Sequence, residues 1–340
     1  MTDRVAVVGA GSWGTAFATI TAEKGIDTVL WARRADLADE INARHTNAGY
    51  LPDFELPASL SSTDDVEKAV DGAGTVVMAV PSHAFREVFR RVAPHIGAEA
   101  PLVSLTKGIE QDSLERMTEV MAEEADLPPE RLAVVSGPNL AKEVMRRMPS
   151  ASVVACADDA QAERLQGLFM APFFRVYTNP DVVGCELSGA MKNVIAIAAG
   201  IADGMGFGDN SRASLITRGL AEVARLGMKL GADPLTFSGL AGMGDLVATC
   251  ISKLSRNRGV GEELGRGRKL ADIVAETRMV AEGVKTSRAV VALGEREGVD
   301  LPLAEHVVKV LYEGVSPADM VLSLMLRSAK PELHGMHEPD

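Results

Sequence analysis

The sequence predicts an α/β domain with a mostly parallel sheet, followed by an all-helical domain. In the first half, short β-branched runs alternate with helical patterns, and a glycine-rich turn at residues 9–14 separates the first strand from the first helix. After residue 209, apolar residues recur at helical spacing and no strand of useful length is predicted. Because 340 residues exceed what one hydrophobic core usually supports, we expect domains at 1–183 and 184–330 and a disordered tail at 331–340.

The composition argues against several classes of partner and compartment. A net charge of −12 disfavours nucleic acid and anionic membrane surfaces, since both repel an acidic protein. The chain passes directly into a strand, which leaves no room for a signal peptide, and the longest apolar run, residues 194–202, is too short to span a bilayer. We therefore expect a cytoplasmic protein without an integral membrane segment.

The cysteines support the same compartment. Cys156, Cys185 and Cys250 are odd in number, widely spaced and contain no CxxC pair. This pattern predicts a reducing environment and no structural zinc or other metal site.

The glycine-rich turn at the start of the chain predicts a dinucleotide site. Gly9, Gly11 and Gly14 follow the strand predicted at residues 4–8 and open the first helix. In a Rossmann-like unit the first glycine makes the tight turn, the second lets backbone approach a pyrophosphate, and the third lets helix and strand pack closely. The phosphates then bind at the helix N-terminus. The alternative is a glycine-rich turn without a ligand.

The residues after the second predicted strand, 28–32, bear on the choice of cofactor. A site selective for NAD usually has Asp or Glu there to bind the ribose 2′-hydroxyl, whereas this chain has Arg33 and Arg34. Two arginines suit a 2′-phosphate, so we expect NADPH to be accepted at least as well as NADH. Stacking on adenine or simple solvation are the alternatives, and the nearby Asp36 keeps NAD possible.

Further strands are predicted after the second one, and the segments that follow them are candidate ligand contacts because ligands bind at the carboxyl ends of parallel strands. Lys107 leaves a strand directly and could meet a bound anion, while His83 is either a catalytic base or a helix-capping or solvated residue. The predicted strands are 75–80, 101–105, 132–135, 152–155 and 175–177.

The stretch from residue 185 to 209 predicts a buried helix, because its apolar residues cover nearly all faces. Between Glu186 and Asp203 the only charged residue is Lys192. Burial disfavours an ammonium, so this lysine must be paired, extended to an edge, or kept for proton transfer. A structural ion pair is the alternative to a catalytic role.

Two further segments of the second half combine polar groups at predicted helix starts. Asp245 has Thr249 one turn later on the same face, although Asp245 could simply be an N-cap. Residues 253–259 contain three cations, an amide and a hydroxyl ahead of a helix, which suits a phosphate but also a basic surface turn. Glycine-rich turns are expected at 239–244 and 259–261.

Taken together, these motifs identify a family. In order along nearly the whole chain, they resemble those of the bacterial NAD(P)-dependent sn-glycerol-3-phosphate dehydrogenases. The lysine helix, the GDL segment and the RNRxxG segment make the resemblance specific, since other dinucleotide folds lack this combination. The matching segments are GAGSWG at Gly9, the strand-end Lys107, SGPNLAKEV at Ser136, ELSGAMKNVIAIAAGIADG at Glu186, GMGDLVATC at Gly242, SRNRGVG at Ser255 and VAEGVKT at Val280.

The resemblance implies a homodimer that interconverts dihydroxyacetone phosphate and glycerol 3-phosphate with NAD or NADP, supplying glycerol 3-phosphate for phospholipid synthesis. Lys192 would be the general acid or base at the C2 oxygen, positioned by Asp245 and Thr249. The implied substrate contacts are Lys107, Gly137, Asn193, Ser255, Arg256 and Asn257. The implied cofactor contacts, besides the three glycines, are Ser12, Trp13, Arg33, Arg34, Lys107, Ala141, Arg256, Val280 and Glu282. The family commonly has a different residue at the position of Arg34.

Two other functions remain open from the sequence. A dehydrogenase of another phosphate- or carboxylate-bearing hydroxyacid would have the same two-domain plan. A redox-inactive dinucleotide sensor would bind the cofactor without turnover and would not need Lys192.

Overall fold

The computed structural model describes residues 4–276, 281–332 and 335, and it divides the chain into two compact units. The first unit comprises Met1–Thr106 and Met117–Val182. The second comprises Lys107–Arg116 and Val183–Asp340. The chain therefore passes between the units three times, because a ten-residue segment that follows a sheet strand belongs to the helical unit.

The first unit alternates strands and helices. Its strands are β1 Val5–Val8, β2 Thr28–Trp31, β3 Thr46–Asn47, β4 Leu51–Glu55, β5 Leu60–Thr63, β6 Thr75–Met78, β7 Leu102–Ser104, β8 Leu132–Ser136, β9 Ser150–Cys156 and β10 Phe174–Asn179. Its helices are α1 Ser12–Glu23, α2 Ala35–Arg44, α3 Val66–Val70, α4 Phe85–Val92, α5 Met117–Ala125, α6 Ala141–Met145 and α7 Asp159–Phe169, with short 3₁₀ turns at Ser82–Ala84, Ala93–His95 and Pro129–Arg131.

Eight of these strands form one sheet in the order β10-β9-β8-β7-β6-β1-β2-β5. All neighbouring pairs are parallel except β8 with β9. The chain order reverses between β1 and β6, and this switch point is where open parallel sheets bind ligands at their carboxyl edge. The predicted α/β class with a mostly parallel sheet is confirmed.

The sheet separates two hydrophobic cores. Alternate residues of β1 face opposite sides, so Val5 and Val7 pack into one core while Ala6 and Val8 pack into the other. Helix α1 contributes Phe17 and Ile20 to the first of these cores. Strands that are buried on both faces read as continuous apolar runs, which explains why the central strands were predictable from the sequence.

Three short strands were not expected. β3 and β4 form a separate antiparallel hairpin, and β5 is the outermost strand of the large sheet. β5 has the sequence LSST, and only Leu60 and Ser62 are buried in it. An edge strand with one polar face lacks the apolar run by which the other strands were recognised.

From residue 183 onward, the described part of the second unit consists of helices and the loops that join them, and no strand occurs there after residue 209, as predicted. Its helices are α8 Val182–Gly204, α9 Asp209–Lys229, α10 Asp245–Ile251, α11 Arg256–Gly265, α12 Leu270–Glu276, α13 Glu282–Glu297, α14 Pro302–Tyr312 and α15 Pro317–Met325, with a 3₁₀ turn at Pro234–Ser238 and a π-helix at Leu240–Gly244. The prediction of two glycine-rich turns was wrong. Residues 239–244 lead into and form the π-helix, and residues 259–261 lie inside α11.

Helix α8 is the centre of the second unit. Nineteen of its 23 residues are buried, and it contributes much of the unit's hydrophobic core. By length and composition, α8 is long enough and apolar enough to cross a membrane. The shortness of the apolar run at residues 194–202 therefore does not exclude a membrane-spanning helix. However, 89% of the most apolar window of α8 is buried inside the protein, as in the core helix of a soluble protein.

Candidate active site

Lys192 of α8 is paired inside the second unit. Its Nζ lies 2.5 Å from Asp245 Oδ1 and donates a hydrogen bond of 2.8 Å to Thr249 Oγ1. The Thr249 hydroxyl also donates to the same carboxylate oxygen at 3.3 Å, because residues four apart in α10 share one face. All three side chains are buried. The structure therefore brings together the three residues to which the family resemblance assigns a catalytic role.

Asp245 is shared with a second lysine. Lys107 Nζ lies 2.6 Å from Asp245 Oδ2, and the Lys107 side chain is only 13% exposed. Asp245 is the first residue of α10, but Gly244 is the N-cap, so the N-cap interpretation of Asp245 was wrong. Two ammonium groups around one carboxylate leave a formal charge of +1 in a site protected from water. Such a site attracts anions strongly, since charges interact more strongly where the dielectric constant is low.

The pKa values of this cluster follow from burial and from these neighbours. Burial, together with the Lys192 ammonium, lowers the pKa of Lys107 to about 8 against the raising effect of Asp245. Burial would raise the pKa of the Asp245 carboxyl, but the two ammonium groups hold it below its ordinary value. Asp245 therefore stays ionised around neutral pH, when most Lys107 side chains are still protonated.

A chain of amide groups extends from the lysine cluster to α13. Asn193, next to Lys192, donates from Nδ2 to the Lys107 carbonyl oxygen at 3.3 Å. Its Oδ1 accepts a 2.9 Å hydrogen bond from Asn257 Nδ2. Asn257 Oδ1 in turn accepts one from the Gly283 backbone N–H at 2.9 Å. Asn193 and Asn257 thus fix the Lys107 backbone and the start of α13. Because both side-chain amides are used in these contacts, each has little remaining capacity to hydrogen-bond a ligand.

The start of α11 presents the basic segment. Ser255 is the N-cap, and its Oγ accepts from the Arg258 N–H at 3.3 Å. Arg256 follows as the first helical residue, where the helix dipole favours an anion. Burial raises the pKa of Glu282 to about 7 against the lowering effect of Arg256, Lys192 and Lys107. These residues, which the sequence assigned to two ligands, therefore share one electrostatic environment.

Glycines set the distance between α8 and α11. A Cβ added at Gly200 would lie 2.0 Å from the Arg258 carbonyl oxygen, and one at Gly261 would lie 2.0 Å from that of Ile197. Gly204 and Gly265 make equally close approaches across the same interface. This interdigitation of GxxxG pairs brings the two helix backbones into contact, as small residues do in other close helix pairs. It places the start of α11 beside the middle of α8.

In the first unit, the glycine turn has the geometry that a dinucleotide site requires. Gly9 has φ +123°, a conformation that favours glycine, and a Cβ there would lie 2.5 Å from the Ala79 carbonyl oxygen. A Cβ on Gly14 would lie 2.0 Å from the Gly9 carbonyl oxygen, so α1 packs closely on the turn. A Cβ on Gly11 would meet nothing within 4 Å. The space in front of Gly11 is therefore open to a ligand.

The neighbouring candidates also lie at this edge of the sheet. Ser12 opens α1 and donates from Oγ to the Tyr50 carbonyl oxygen at 3.2 Å. Trp13 packs edge-on against Phe17, with ring centroids 5.7 Å apart. Arg33 and Arg34 follow β2 and are exposed, and Arg34 Nε lies 3.0 Å from Asp36 Oδ1. This ion pair must be considered when Arg34 is assigned to a 2′-phosphate.

The remaining candidates can be placed individually. Gly137 follows β8 with φ +130°, and Ala141 is the first residue of α6. His83 is exposed in the 3₁₀ turn at Ser82–Ala84. Val280 lies outside the described residues. Cys156, Cys185 and Cys250 are all buried without a disulfide.

Two contacts that hold the cluster together had no sequence signal. Arg116 Nη1 donates to Glu186 Oε2 at 2.7 Å, and the Glu186 side chain is buried. Gln111 Nε2 donates to the Lys285 carbonyl oxygen at 3.0 Å. These two contacts fasten residues 107–116 to the second unit and thereby help to hold Lys107 beside Asp245. The partners are far apart in sequence, so no local spacing indicates them.

Comparisons with known proteins agree with this architecture. Residues 4–162 match the family model for the N-terminus of NAD-dependent glycerol-3-phosphate dehydrogenase, and residues 181–322 match the model for its C-terminus. A glycerol-3-phosphate dehydrogenase (NAD(P)+) of Streptomyces griseus is 56% identical over 329 residues, covering 97% of this chain and 98% of that protein. One of Thermobifida fusca is 52% identical, with 98% and 99% covered. The crystal structure of the Coxiella burnetii glycerol-3-phosphate dehydrogenase has a TM-score of 0.91 at 39% identity, covering 96% of this chain and 99% of that one.

The close approach of α8 and α11 predicts opposite effects of two alanine substitutions in one helix. Gly261→Ala should destabilise the protein by about 1–3 kcal/mol, because its Cβ would collide with a backbone oxygen of α8. Gly259→Ala is the matched control. A Cβ there meets nothing within 4 Å, so alanine should stabilise α11 by up to about 1 kcal/mol. Urea unfolding of the two variants and the wild type measures both effects, and equal stabilities would contradict the proposed contact.

Proposed function

Because the chain belongs to the NAD-dependent glycerol-3-phosphate dehydrogenase family, we propose that it interconverts dihydroxyacetone phosphate and sn-glycerol 3-phosphate, using NAD or NADP. The observation that carries the proposal is the buried cluster in which Lys107 and Lys192 share Asp245. A redox-inactive dinucleotide sensor has no need for a buried, positively charged cluster of this kind. The family membership makes the chain an oxidoreductase.

The residues of the glycine turn fit a dinucleotide. The position in front of Gly11 is free of protein atoms. The first backbone N–H groups of α1 point out of the N-terminus of the helix, where they have no intrahelical partner. These groups, with Ser12 and Trp13, would hold the pyrophosphate and its surroundings. When bound, the nicotinamide cofactor supplies or accepts the hydride.

Lys192 would transfer the proton. Reduction of the ketone adds a hydride to C2 and leaves negative charge on the C2 oxygen, which must then receive a proton. The Lys192 ammonium can stabilise that charge and donate the proton, while Asp245 and Thr249 fix the direction of its N–H groups. In the reverse reaction the neutral amine would accept the proton from the C2 hydroxyl.

The substrate phosphate would bind at the start of α11. A doubly charged group entering a protein of net charge −12 needs local cations, and Arg256 combines a guanidinium with the helix N-terminus. Lys107 would contribute a second cation to the substrate or cofactor. Asn193, Ser255, Asn257 and Gly137 complete the proposed substrate contacts, and Ala141, Val280 and Glu282 complete those to the cofactor.

The setting of the reaction is also a proposal. We expect a cytoplasmic homodimer that supplies glycerol 3-phosphate for phospholipid synthesis. The three cysteines are buried and form no disulfide, which supports a reducing cytoplasm. Family membership supports the metabolic role.

The substrate assignment predicts strong discrimination for the phosphate. NAD(P)H oxidation should be fast with dihydroxyacetone phosphate and very slow with dihydroxyacetone. Arg256→Ala should raise the KM for the phosphorylated ketone by at least about tenfold, because a charge-assisted hydrogen bond is worth roughly 1.5–3 kcal/mol. Arg266→Ala is the control, since Arg266 is exposed at the other end of α11. Equal activity on the two ketones would refute the assignment.

The proposed proton donor predicts a large loss of kcat without loss of structure. Lys192→Met retains the length of the side chain and leaves Asp245 paired with Lys107, so no buried charge is left without a partner. We expect kcat to fall by about 10²–10⁴-fold while NAD(P)H affinity and thermal stability stay near wild type. Thr249→Val, which replaces the hydroxyl by a methyl group, should have a smaller effect. A Lys192→Met variant within a few-fold of the wild-type kcat would return Lys192 to a structural role.

The double arginine predicts the order of cofactor preference. If Arg33 and Arg34 bind a 2′-phosphate, NADPH is used at least as well as NADH, and Arg33→Ala should weaken NADPH binding more than NADH binding. Arg34→Ala should show the same selectivity to a smaller extent, because Arg34 is paired with Asp36. Titrations of cofactor fluorescence measure all four affinities. An equal loss for both cofactors would mean that the arginines stack on adenine.

A further inference from the structure

The hairpin of β3 and β4 contacts the glycine turn directly. The Asn47 amide Nδ2 lies 3.0 Å from the Ala10 carbonyl oxygen and 2.9 Å from Thr15 Oγ1, and it donates to both. A second contact is the hydrogen bond from Ser12 Oγ to the Tyr50 carbonyl oxygen. The hairpin therefore holds the glycine turn at Ala10 and again within the first turn of α1.

The contact at Ala10 determines where the next backbone N–H points. In a trans peptide the C=O of one residue and the N–H of the next point in opposite directions. Because Asn47 holds the Ala10 oxygen, the Gly11 N–H is turned to the side away from the hairpin amide. This N–H is one of those at the N-terminus of α1 that are free to bind an anion.

The Asn47 amide is used on one side only, through its N–H group. The Asn47 side chain is fully buried, and its Oδ1 has no hydrogen-bond partner among the described residues. Burying an unpaired carbonyl oxygen opposes folding and offsets part of what the two donated hydrogen bonds contribute to stability. What the asparagine adds is its N–H group, which is used on the glycine turn.

The same hairpin is also fastened to the helix that follows Arg33 and Arg34. Glu40 Oε1, in α2, accepts hydrogen bonds from Thr46 Oγ1 at 2.9 Å and from the Ala48 N–H at 2.7 Å. The residues flanking Asn47 on both sides are thus tied to α2. The hairpin therefore connects the turn proposed for the pyrophosphate with the helix that begins beside the two arginines.

We propose that Asn47 is a positioning residue of the cofactor site, and that the hairpin of residues 46–55 pre-organises the glycine turn for binding either NADH or NADPH. The proposal rests on the proposed use of NAD(P). It predicts that loss of the Asn47 amide weakens both cofactors by a similar factor, because the pyrophosphate is common to them. The chemical step and the binding of the ketone substrate should not change.

The experiment compares two asparagines of the same unit. Asn47→Leu should raise the Kd of both NADH and NADPH about tenfold, measured by cofactor fluorescence without turnover, while kcat at saturating cofactor and the KM for dihydroxyacetone phosphate stay within about twofold. Asn42→Leu is the matched control. Asn42 ties α2 to β5 through two 2.8 Å hydrogen bonds with the Ser62 backbone, so its loss should lower stability without changing either Kd.

A second variant covers the case in which Asn47→Leu fails to fold. Glu40→Ala releases the hairpin from α2 without altering the core, and it should raise both Kd values severalfold. The proposal is overturned if the folded Asn47→Leu protein, or Glu40→Ala in its absence, binds both cofactors within twofold of wild type, or if Asn42→Leu weakens them equally. Wild-type protein that binds NADH but does not reduce dihydroxyacetone phosphate would refute the proposed function and leave this test intact.

Discussion

The second unit is organised around one buried carboxylate that two buried ammonium groups share. Asp245 offsets the cost of burying the Lys107 and Lys192 ammonium groups, because a buried charge without a partner strongly opposes folding. The cluster therefore forces three segments together: the residues after β7, the middle of α8 and the start of α10. A buried pair of this kind contributes little to stability compared with apolar packing. Its value lies in fixing charged groups where an anion can meet them.

Apolar and closely packed helices surround the charged cluster. Helix α8 supplies buried apolar residues on nearly every face, and its glycines let α11 approach to backbone contact. These two features work together, because α11 can bring Arg256 close to α8 only where neither helix has a side chain in between. Glycine inside a helix normally costs about 1 kcal/mol relative to alanine. Gly200 and Gly261 show what is gained in return, which is backbone contact between the helix that carries Lys192 and the helix that begins at Arg256.

The sequence was sufficient wherever the signal was local. The glycine turn, the buried Lys192 and the i, i+4 pair of Asp245 and Thr249 are all readable within one or two helical turns. Other contacts join residues that are far apart in sequence, and local spacing carries no information about them. These are the contacts of Lys107 with Asp245, of Arg116 with Glu186, and of Asn47 with the glycine turn. Local signals also gave wrong predictions, as at residues 259–261. Gly259 and Gly261 read as a turn, since the partner helix that makes close packing favourable is not visible in the local sequence.

The two units offer different physical means of binding an anion. In the first, the glycine turn offers backbone N–H groups and empty space, so its selectivity depends on how rigidly the turn is held. In the second, the charge is on side chains, and burial makes it effective. Residues 107–116 follow a strand of the first unit but are anchored within the second by Arg116 and Gln111. These contacts within the helical unit fix the geometry of Lys107 relative to Lys192, so the proposed proton donor and the cation beside it would keep one arrangement for the substrate.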